Sequence, residues 1–319
     1  MSKRKGNEGG RLDDAARAGW LYYVAGNTQD EIAAKLRISR QSAQRLVSLA
    51  VSEGLVKVRL DHPLAECLEL AVRLRERFGL QLCEVVPTDP TSESSTLGIA
   101  EAAAAEIERR LKSPETQVMA IGTGRTLKAA SELLPRIDAP EKKIVSLTGN
   151  FAPDGSAAFY SVIFTMADVV NARHYPLPLP VIAASAEERD LLHRQVMVHA
   201  TLELAAQADI TFVGIGDLGP KAPLHQDGYI SKAELTELKE AGAVMEIVGW
   251  AFDAQGRLIE GLTNARVASA PLPAPERSLV VAVAMGGTKL AGIGIAVRHG
   301  LVNGLITDEA TAAKLLAER

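Results

Sequence analysis

The stretch at residues 28–54 constrains the fold of this chain more than any other part of the sequence. Thr28 and Glu31 form a T-x-x-E capping box, which is typical of the start of a helix. The residues that follow are apolar at helical spacing and predict one buried face. A turn at residues 37–39 ends at Ser39, a preferred N-cap residue for a second helix. The pattern predicts two short helices joined by a tight turn.

The second helix has a clear inner face. Ala43, Leu46, Val47 and Ala50 fall at positions i, i+3, i+4 and i+7, so they form a stripe that packs inward. Gly54 is placed as the C′ residue that stops the helix. Polar and basic residues are left on the outer face.

That outer face suits DNA, because a recognition helix enters the major groove with its N-terminal residues against base edges. Arginine pairs with guanine and glutamine with adenine, while a serine hydroxyl reaches phosphate. The alternative is an ordinary helical hairpin with a solvated polar face. The predicted DNA contacts are Thr28, Gln29, Ser39, Arg40, Gln41, Ser42, Gln44, Arg45 and Lys57.

Charge supports the DNA prediction. Residues 1–60 hold 11 Lys and Arg against 6 Asp and Glu, a net charge of +5 that leaves −9 for the remainder of the chain. Residues 55–60 alternate apolar and basic side chains and read as a strand, the wing of a winged helix-turn-helix, with Lys57 and Arg59 toward phosphate. The segment Lys3-Arg4-Lys5 reads as a basic arm or, equally, as a disordered tail.

Composition narrows the class of protein. Aromatic residues make up only 4% of the 319 residues, which argues against a reader of single-stranded nucleic acid. The two cysteines, Cys67 and Cys83, have no metal-ligand spacing and predict reduced thiols. No signal peptide or membrane-length apolar run is seen, so we expect a cytoplasmic protein. We predict no catalytic residue, no metal and no cofactor.

Three regions follow from the pattern: a DNA-binding domain at residues 1–62, a linker helix at 63–80 and an effector domain at 81–319. The helix is predicted over Leu64–Phe78. Its leucines Leu64, Leu68, Leu70 and Leu74 suit packing on another subunit or, equally, on the chain's own large domain.

The large domain alternates strands and helices. Strands are predicted at residues 81–86, 117–121, 143–147, 180–184, 209–215, 279–284 and 302–306, and one helix over 186–208. This order predicts an α/β fold with a doubly wound, mostly parallel sheet and helices on both faces.

Three strands end in glycine-rich loops, GTGRT (122–126), GIGDL (214–218) and MGGTK (285–289). Ligands in open α/β sheets lie beyond the carboxyl ends of strands, so these loops should converge on one site. The GTGRT loop suits a phosphate monoester before a helix N-terminus; the alternative is a simple tight turn. Lys289 lies at a helix start, where a cation is unfavourable unless an anionic ligand is near.

Polar groups near these loops complete the predicted effector site. Asn150, Asp217 and Glu246 could hold sugar hydroxyls, although a single carboxylate in such a loop is more often a helix cap. The predicted effector-binding residues are Gly122, Thr123, Gly124, Arg125, Thr126, Gly149, Asn150, Gly216, Asp217, Glu246 and Lys289.

With these motifs in place, nearly the whole chain resembles SorC/DeoR-type bacterial transcriptional regulators. The matching segments include residues 22–58, VGIGDL (213–218), GYIS (228–231), GAVMEIVGWAFDAQG (242–256) and residues 286–312. The resemblance implies a fold similar to sugar-phosphate isomerases, a phosphate site at GTGRT joined by Lys289, and contacts from Glu246 to sugar hydroxyls. It also implies tetramers on paired operator half-sites. Met245 stands where relatives often have glycine, so we expect it to narrow the pocket.

The prediction is therefore a DNA-binding transcriptional regulator of a carbohydrate or polyol catabolic operon, controlled by a sugar, polyol or sugar phosphate, and a homo-oligomer. The alternative is a sugar-phosphate isomerase or deaminase with an accessory N-terminal domain, in which Asp217 and Glu246 would act as acid and base.

Overall fold

The computed structural model describes residues 3–56, 64–89, 96–152 and 155–318. The chain divides into two compact units, residues 1–62 and residues 63–319. Within the described ranges, no helix combines the length and the apolar character needed to cross a membrane.

The first unit contains three helices, α1 (Lys3–Tyr23), α2 (Gln29–Leu36) and α3 (Arg40–Ser52). Its core joins Ala18 of α1 to Ile32 of α2 and to Ala43 and Val47 of α3. Helix α1 was not predicted, and the basic segment at residues 3–5 lies within it. Gly19 of α1 explains the close approach of the helices, because a Cβ there would lie 2.8 Å from the Cβ of Ala50.

The predicted caps of α2 and α3 are confirmed. The Thr28 amide donates to Glu31 Oε2 at 2.7 Å, and the Glu31 amide donates to Thr28 Oγ1 at 3.3 Å, which completes the capping box. Ser39 Oγ accepts from the Ser42 amide at 3.1 Å. Arg37 turns the chain between the helices with a left-handed φ of 55°, and Gly54 follows α3 with φ of 65°.

The predicted wing lies largely outside the described residues. Leu55 and Val56 follow α3 as a bend, and residues 57–63, which include Lys57 and Arg59, are not described.

The second unit is built on a seven-stranded sheet. Its strands, in chain order, are β1 (Leu82–Val86), β2 (Val118–Ile121), β3 (Ile137–Phe151), β4 (Val170–Pro180), β5 (Ile210–Val213), β9 (Leu279–Val283) and β10 (Gly304–Asp308). A smaller sheet holds β6 (Gly216–Asp217), β7 (Ala243–Ile247) and β8 (Trp250–Asp253). The helices are α4 (Ala65–Phe78), α5 (Leu97–Lys112), α6 (Arg125–Leu133), α7 (Val162–Ala167), α8 (Ala186–His193), α9 (Val196–Ala206), α10 (Pro223–Gln226), α11 (Lys232–Glu240), α12 (Leu290–Arg298) and α13 (Glu309–Ala317).

The large sheet is parallel throughout, in the order β1-β10-β9-β5-β2-β3-β4. Successive residues of its strands enter cores on opposite faces. Val118 and Ala120 pack with residues of α4, α12 and α13, whereas Met119 and Ile121 pack with residues of α5, α6 and α7. This confirms the predicted doubly wound α/β fold with helices on both faces.

Strand β4 corrects the prediction of a strand at residues 180–184. The strand ends at Pro180 and includes Pro176 and Pro178, which argue against a strand in sequence. These prolines are tolerated because β4 is an edge strand, where an outward-facing residue without an amide costs the sheet no hydrogen bond. The single helix predicted over 186–208 is also two helices, which break at Arg194 and Gln195.

Helix α4 packs on the second unit of its own chain. Of the two predicted alternatives, another subunit or the chain's own large domain, Leu74 therefore follows the second. Cys67, Ala71 and Leu74 are buried in the same core as residues of β1 and α13. Leu64 and Leu68 remain exposed.

The two cysteines are free thiols in this core region, as predicted. Burial raises the pKa of the Cys83 thiol to about 12 and also raises the pKa of Cys67.

Candidate functional site

The outer face of α3 carries the predicted base-reading residues. Arg40, Gln41, Gln44 and Arg45 are exposed, on the side away from the buried alanines and valine. Ser42 is half-buried, and its hydroxyl lies 2.9 Å from Ser39 Oγ. Four long polar side chains are therefore exposed to a ligand, and two of them are cationic.

Two of the other predicted DNA contacts, Thr28 and Ser39, cap helices. The hydroxyls of Thr28 and Ser39 accept the amides that cap α2 and α3. Gln29 is half-buried at the start of α2. Lys57 lies outside the described residues. Arg40 Nε lies 3.5 Å from Asp30 Oδ1, an ion pair so exposed that it contributes little.

A cavity of about 630 Å³ opens at the carboxyl ends of β2, β5 and β9, which are neighbours in the sheet. This volume is typical of a small-molecule site. Its walls include all three glycine-rich loops, as the sequence predicted. Of the predicted effector-binding residues, it is lined by Thr123, Gly124, Arg125, Thr126, Gly216, Glu246 and Lys289.

The GTGRT loop turns from β2 into α6. Gly124 has φ of 119°, a conformation that favours glycine, and the helix begins at the next residue, Arg125. Thr123 Oγ1 donates to the carbonyl of Tyr160 at 2.6 Å, so this hydroxyl ties the loop to the opposite wall. Arg125 is exposed at the cavity.

Glu246 is positioned by both of its neighbours. Gly216 pairs with it in the small sheet, and a Cβ at Gly216 would lie 1.9 Å from Glu246 Oε1. The amide of Gly249 donates to Glu246 Oε2 at 2.8 Å. Burial raises the pKa of Glu246, while this amide and the charge of Lys289 act in the opposite direction.

The hairpin that holds this carboxylate is strained. Val248 and Gly249 join β7 to β8, with φ of 48° and 90°. A β-branched residue at positive φ is a genuine outlier, and such outliers concentrate at functional sites. Both residues line the cavity.

Lys289 enters the cavity from the start of α12, where it is half-buried. Burial lowers its pKa, while the charges of Glu246 and Asp217 oppose that effect. The Lys289 ammonium thus lies within electrostatic reach of two carboxylates.

Four predicted effector residues do not line the cavity. Gly122 packs at the end of β2, where its amide donates to the carbonyl of Phe212 at 2.8 Å. Gly149 allows β3 and β4 to approach, since a Cβ there would lie 2.4 Å from the Pro180 carbonyl oxygen.

The other two are held by the protein. Asn150 is buried, and its Nδ2 donates to the Leu177 carbonyl at 3.0 Å. Asp217 Oδ1 accepts from the Gly219 amide at 2.9 Å, and its charge reaches Lys289.

Met245 was expected to narrow the pocket, and this expectation is wrong. Its side chain points away from Glu246, because neighbours along a strand face opposite ways. It is fully buried in the core on that side, in a position where it packs against Gly292 of α12.

The structure also places residues at the cavity that sequence reasoning missed. They are Thr148 in β3, Tyr160, and Asp227 and Tyr229 in the segment between α10 and α11. Burial raises the pKa of Asp227, and the charge of Arg125 opposes this. The sequence signals were weak: Thr148 directly precedes Gly149 and Asn150, Tyr229 lies in GYIS (228–231) and Asp227 directly precedes it, while no motif marks Tyr160.

Known proteins are similar to this chain in sequence and in fold. Residues 62–317 match a family described as a sugar-binding domain. The chain is 34% identical over 304 residues to the erythritol catabolism regulatory protein EryD of Brucella abortus, covering 95% of this chain and 96% of that protein. It is 32% identical over 313 residues to the transcriptional regulator LsrR of Klebsiella pneumoniae, covering 95% and 92%. The full-length sorbitol operon regulator SorC of Klebsiella pneumoniae has the same fold, with a TM-score of 0.71 at 23% identity over 95% of this chain and 97% of that one.

Proposed function

Because the chain belongs to the sugar-binding-domain family of transcriptional regulators, we propose that it controls a carbohydrate or polyol catabolic operon. It binds operator DNA through α3, and a sugar, polyol or sugar phosphate in the cavity sets the affinity for that DNA. The relatives are named as regulators rather than as enzymes, so the isomerase or deaminase alternative is not retained.

One observation carries the proposal: the same chain holds a helix-turn-helix with an exposed basic face and a polar cavity at the carboxyl ends of a parallel sheet. A ligand changes DNA affinity only by binding two conformations unequally. The proposal therefore requires the cavity ligand to bind more tightly to one of two conformations that differ in their affinity for the operator.

We infer that the working form is a homo-oligomer, a dimer or a tetramer, acting in the cytoplasm where the operator lies. A single helix reads only a short site, and helix-turn-helix proteins pair their recognition helices on two half-sites. Exposed apolar side chains on the second unit support this, among them Leu68, Val196 and Met197.

The DNA half of the proposal is tested by fluorescence anisotropy with labelled DNA from upstream of the operon. Arg40→Ala and Gln44→Ala should each weaken specific binding by about 1–3 kcal/mol if the residue reads a base. Arg17→Ala removes an exposed positive charge from α1 of the same unit and serves as the control. Unchanged affinity in both α3 variants would refute the assignment of the recognition face.

The effector half is tested by titrating sugars, polyols and their phosphates into the protein–DNA complex. Lys289→Ala should shift the effector midpoint and leave the affinity of the free protein for DNA unchanged. Lys239→Ala, which removes an exposed lysine from α11, is the control. If Lys289→Ala has the same effector midpoint as the wild type, Lys289 does not bind the effector.

A further inference from the structure

The cavity loop that carries Lys289 is tied to the last helix of the chain. Gly286 and Lys289 both line the cavity, and the Lys289 amide donates to the Gly286 carbonyl at 3.1 Å, which closes a tight turn between them. Gly286 in turn donates its amide to Thr311 Oγ1 of α13 at 2.9 Å. Thr311 is only 3% exposed. A ligand that moves this turn therefore acts on α13 through one buried hydroxyl.

The first turn of α13 is held firmly by its own hydrogen bonds. The Thr311 amide donates to Asp308 Oδ1 at 3.1 Å, so Asp308 is the N-cap of the helix. Thr88 Oγ1 donates to Asp308 Oδ2 at 2.7 Å and accepts from the Ala310 amide at 2.8 Å. Because these amides are satisfied, the turn does not fray, and α13 responds to a displacement as one rigid element.

The other end of α13 is held by α4. Arg77, in the last turn of α4, donates from Nη1 to the Leu316 carbonyl at 2.6 Å and from Nη2 to the Glu318 carbonyl. The negative end of the α13 dipole favours a guanidinium at this position. Leu74 of α4 and Leu315 of α13 are fully buried in the same core. Helices α4 and α13 are therefore expected to move together.

Helix α4 is the first described element of the second unit, so it follows the DNA-binding unit directly in the chain. We propose that Thr311 couples the effector cavity to α4 through α13, and thereby determines how strongly the effector changes operator affinity. Thr311 is not among the described residues that line the cavity, so it is a positioning residue that acts through Gly286. This inference rests on the proposed function, because it connects the two halves of that function.

The experiment measures the operator Kd of the full chain, with and without a saturating probe, by fluorescence anisotropy on labelled operator DNA. The probes are erythritol, sorbitol, glucose, erythritol 4-phosphate, sorbitol 6-phosphate and glucose 6-phosphate. The ratio of the larger Kd to the smaller is the coupling ratio. The wild type should give a ratio of about 5 to 150 with at least one probe.

Thr311→Val keeps the shape of the side chain and removes the acceptor of the Gly286 amide. Its coupling ratio should fall toward one by about 2- to 30-fold, while its operator Kd without probe stays the same. Thr311→Ser retains the hydroxyl and should keep the wild-type ratio. Thr201→Val is the matched control, because Thr201 is 6% exposed and its hydroxyl donates to Met197 of the same helix at 3.0 Å. Thermal unfolding checks that each variant is folded.

Arg77→Gln interrupts the same route at its other end and should also lower the coupling ratio. Its loss should not add to that of Thr311→Val in the double variant, since both act through α13. Arg73→Gln is the control on the same helix, because the Arg73 guanidinium lies 3.9 Å from Glu69 of α4 itself. If Thr311→Val does not fold, Arg77→Gln decides the same question.

The outcomes separate this inference from the proposed function. If no probe changes the operator Kd of the wild type, the effector half of the proposed function fails, and this inference falls with it. If the wild type responds and Thr311→Val responds equally, or if Thr201→Val loses as much, the proposed function stands and the inference is overturned. Losses that add in the double variant would also overturn it, because α13 would then not be the connection.

Discussion

Glycine at position 216 gives the sharpest test of how the cavity holds its carboxylate. In Gly216→Ala the new Cβ would lie 1.9 Å from Glu246 Oε1 and 2.8 Å from Glu246 Cδ, both closer than the 3.0 Å that real Cβ atoms respect. The φ of Gly216 is not in the left-handed region, so alanine fits the backbone. The side chain of Glu246 has to move by more than 1 Å.

That movement removes Glu246 from the Gly249 amide and from any effector hydroxyl that it binds. A hydrogen bond to a charged group contributes about 1.5–3 kcal/mol. Because 1.4 kcal/mol is tenfold in an equilibrium constant, effector affinity should fall by roughly 10- to 150-fold. DNA affinity of the free protein should not change, since the substitution lies in the second unit.

The assay is release of labelled operator DNA as the effector is titrated, with thermal unfolding as a check on folding. Gly10→Ala is the control for a glycine-to-alanine change, since its Cβ would meet no atom within 4 Å and Gly10 does not line the cavity. Gly216→Ala acts only by displacing Glu246, so adding it to Glu246→Ala should cause no further loss. A wild-type midpoint in Gly216→Ala, or losses that add in the double variant, would refute this reasoning.

Three further predictions concern stability and reactivity. In Gly149→Ala, the Cβ would lie 2.4 Å from the carbonyl oxygen of Pro180 and 2.5 Å from that of Leu179. Denaturant titration should therefore show that the free energy of unfolding falls by about 1–3 kcal/mol. An unchanged midpoint would mean that β3 and β4 can separate without cost. Because the pKa of Cys83 is about 12, its thiol should react with a disulfide reagent at pH 8 far more slowly in the native chain than in the unfolded one, and equal rates would contradict its burial. Burial lowers the pKa of His174 below its ordinary 6.5, so the unfolded state binds this proton more readily and the free energy of unfolding should fall as pH drops below 6.5. His174→Gln should lose that component of the pH dependence, and an unaltered dependence would assign it to other groups.

Local rules explain why the helix-turn-helix could be predicted in detail. The caps at Thr28 and Ser39 and the buried stripe of α3 depend on residues within one or two turns, so sequence contains them fully. Helix α1 was missed because its sequence is polar and includes Gly6, Gly9 and Gly10, which weaken a helical pattern. Its stability comes from packing on α3, which is a tertiary effect.

The part of the site formed by loops at strand ends could be predicted. The part that depends on how far a strand continues could not. The convergence of Thr123, Gly216 and Lys289 follows from the rule for parallel sheets. Asn150 was misjudged as a loop residue because β3 continues to Phe151, which turns Asn150 into a bridge to β4. Asp227 could not be found, because only the tertiary fold brings the segment after α10 opposite Arg125.

The prolines of β4 have a consequence for how copies of this protein can assemble. The Leu177 carbonyl accepts from Asn150 of β3, so the residues on either side of Leu177 direct their backbone groups away from β3. Pro176 and Pro178 therefore lie where amides would point outward. An intruding strand would find two donors missing in succession, so this edge resists sheet-to-sheet polymerisation. Copies of this chain therefore do not extend the large sheet through β4, and the protein can be held at high concentration without offering this edge as a template for amyloid-like growth.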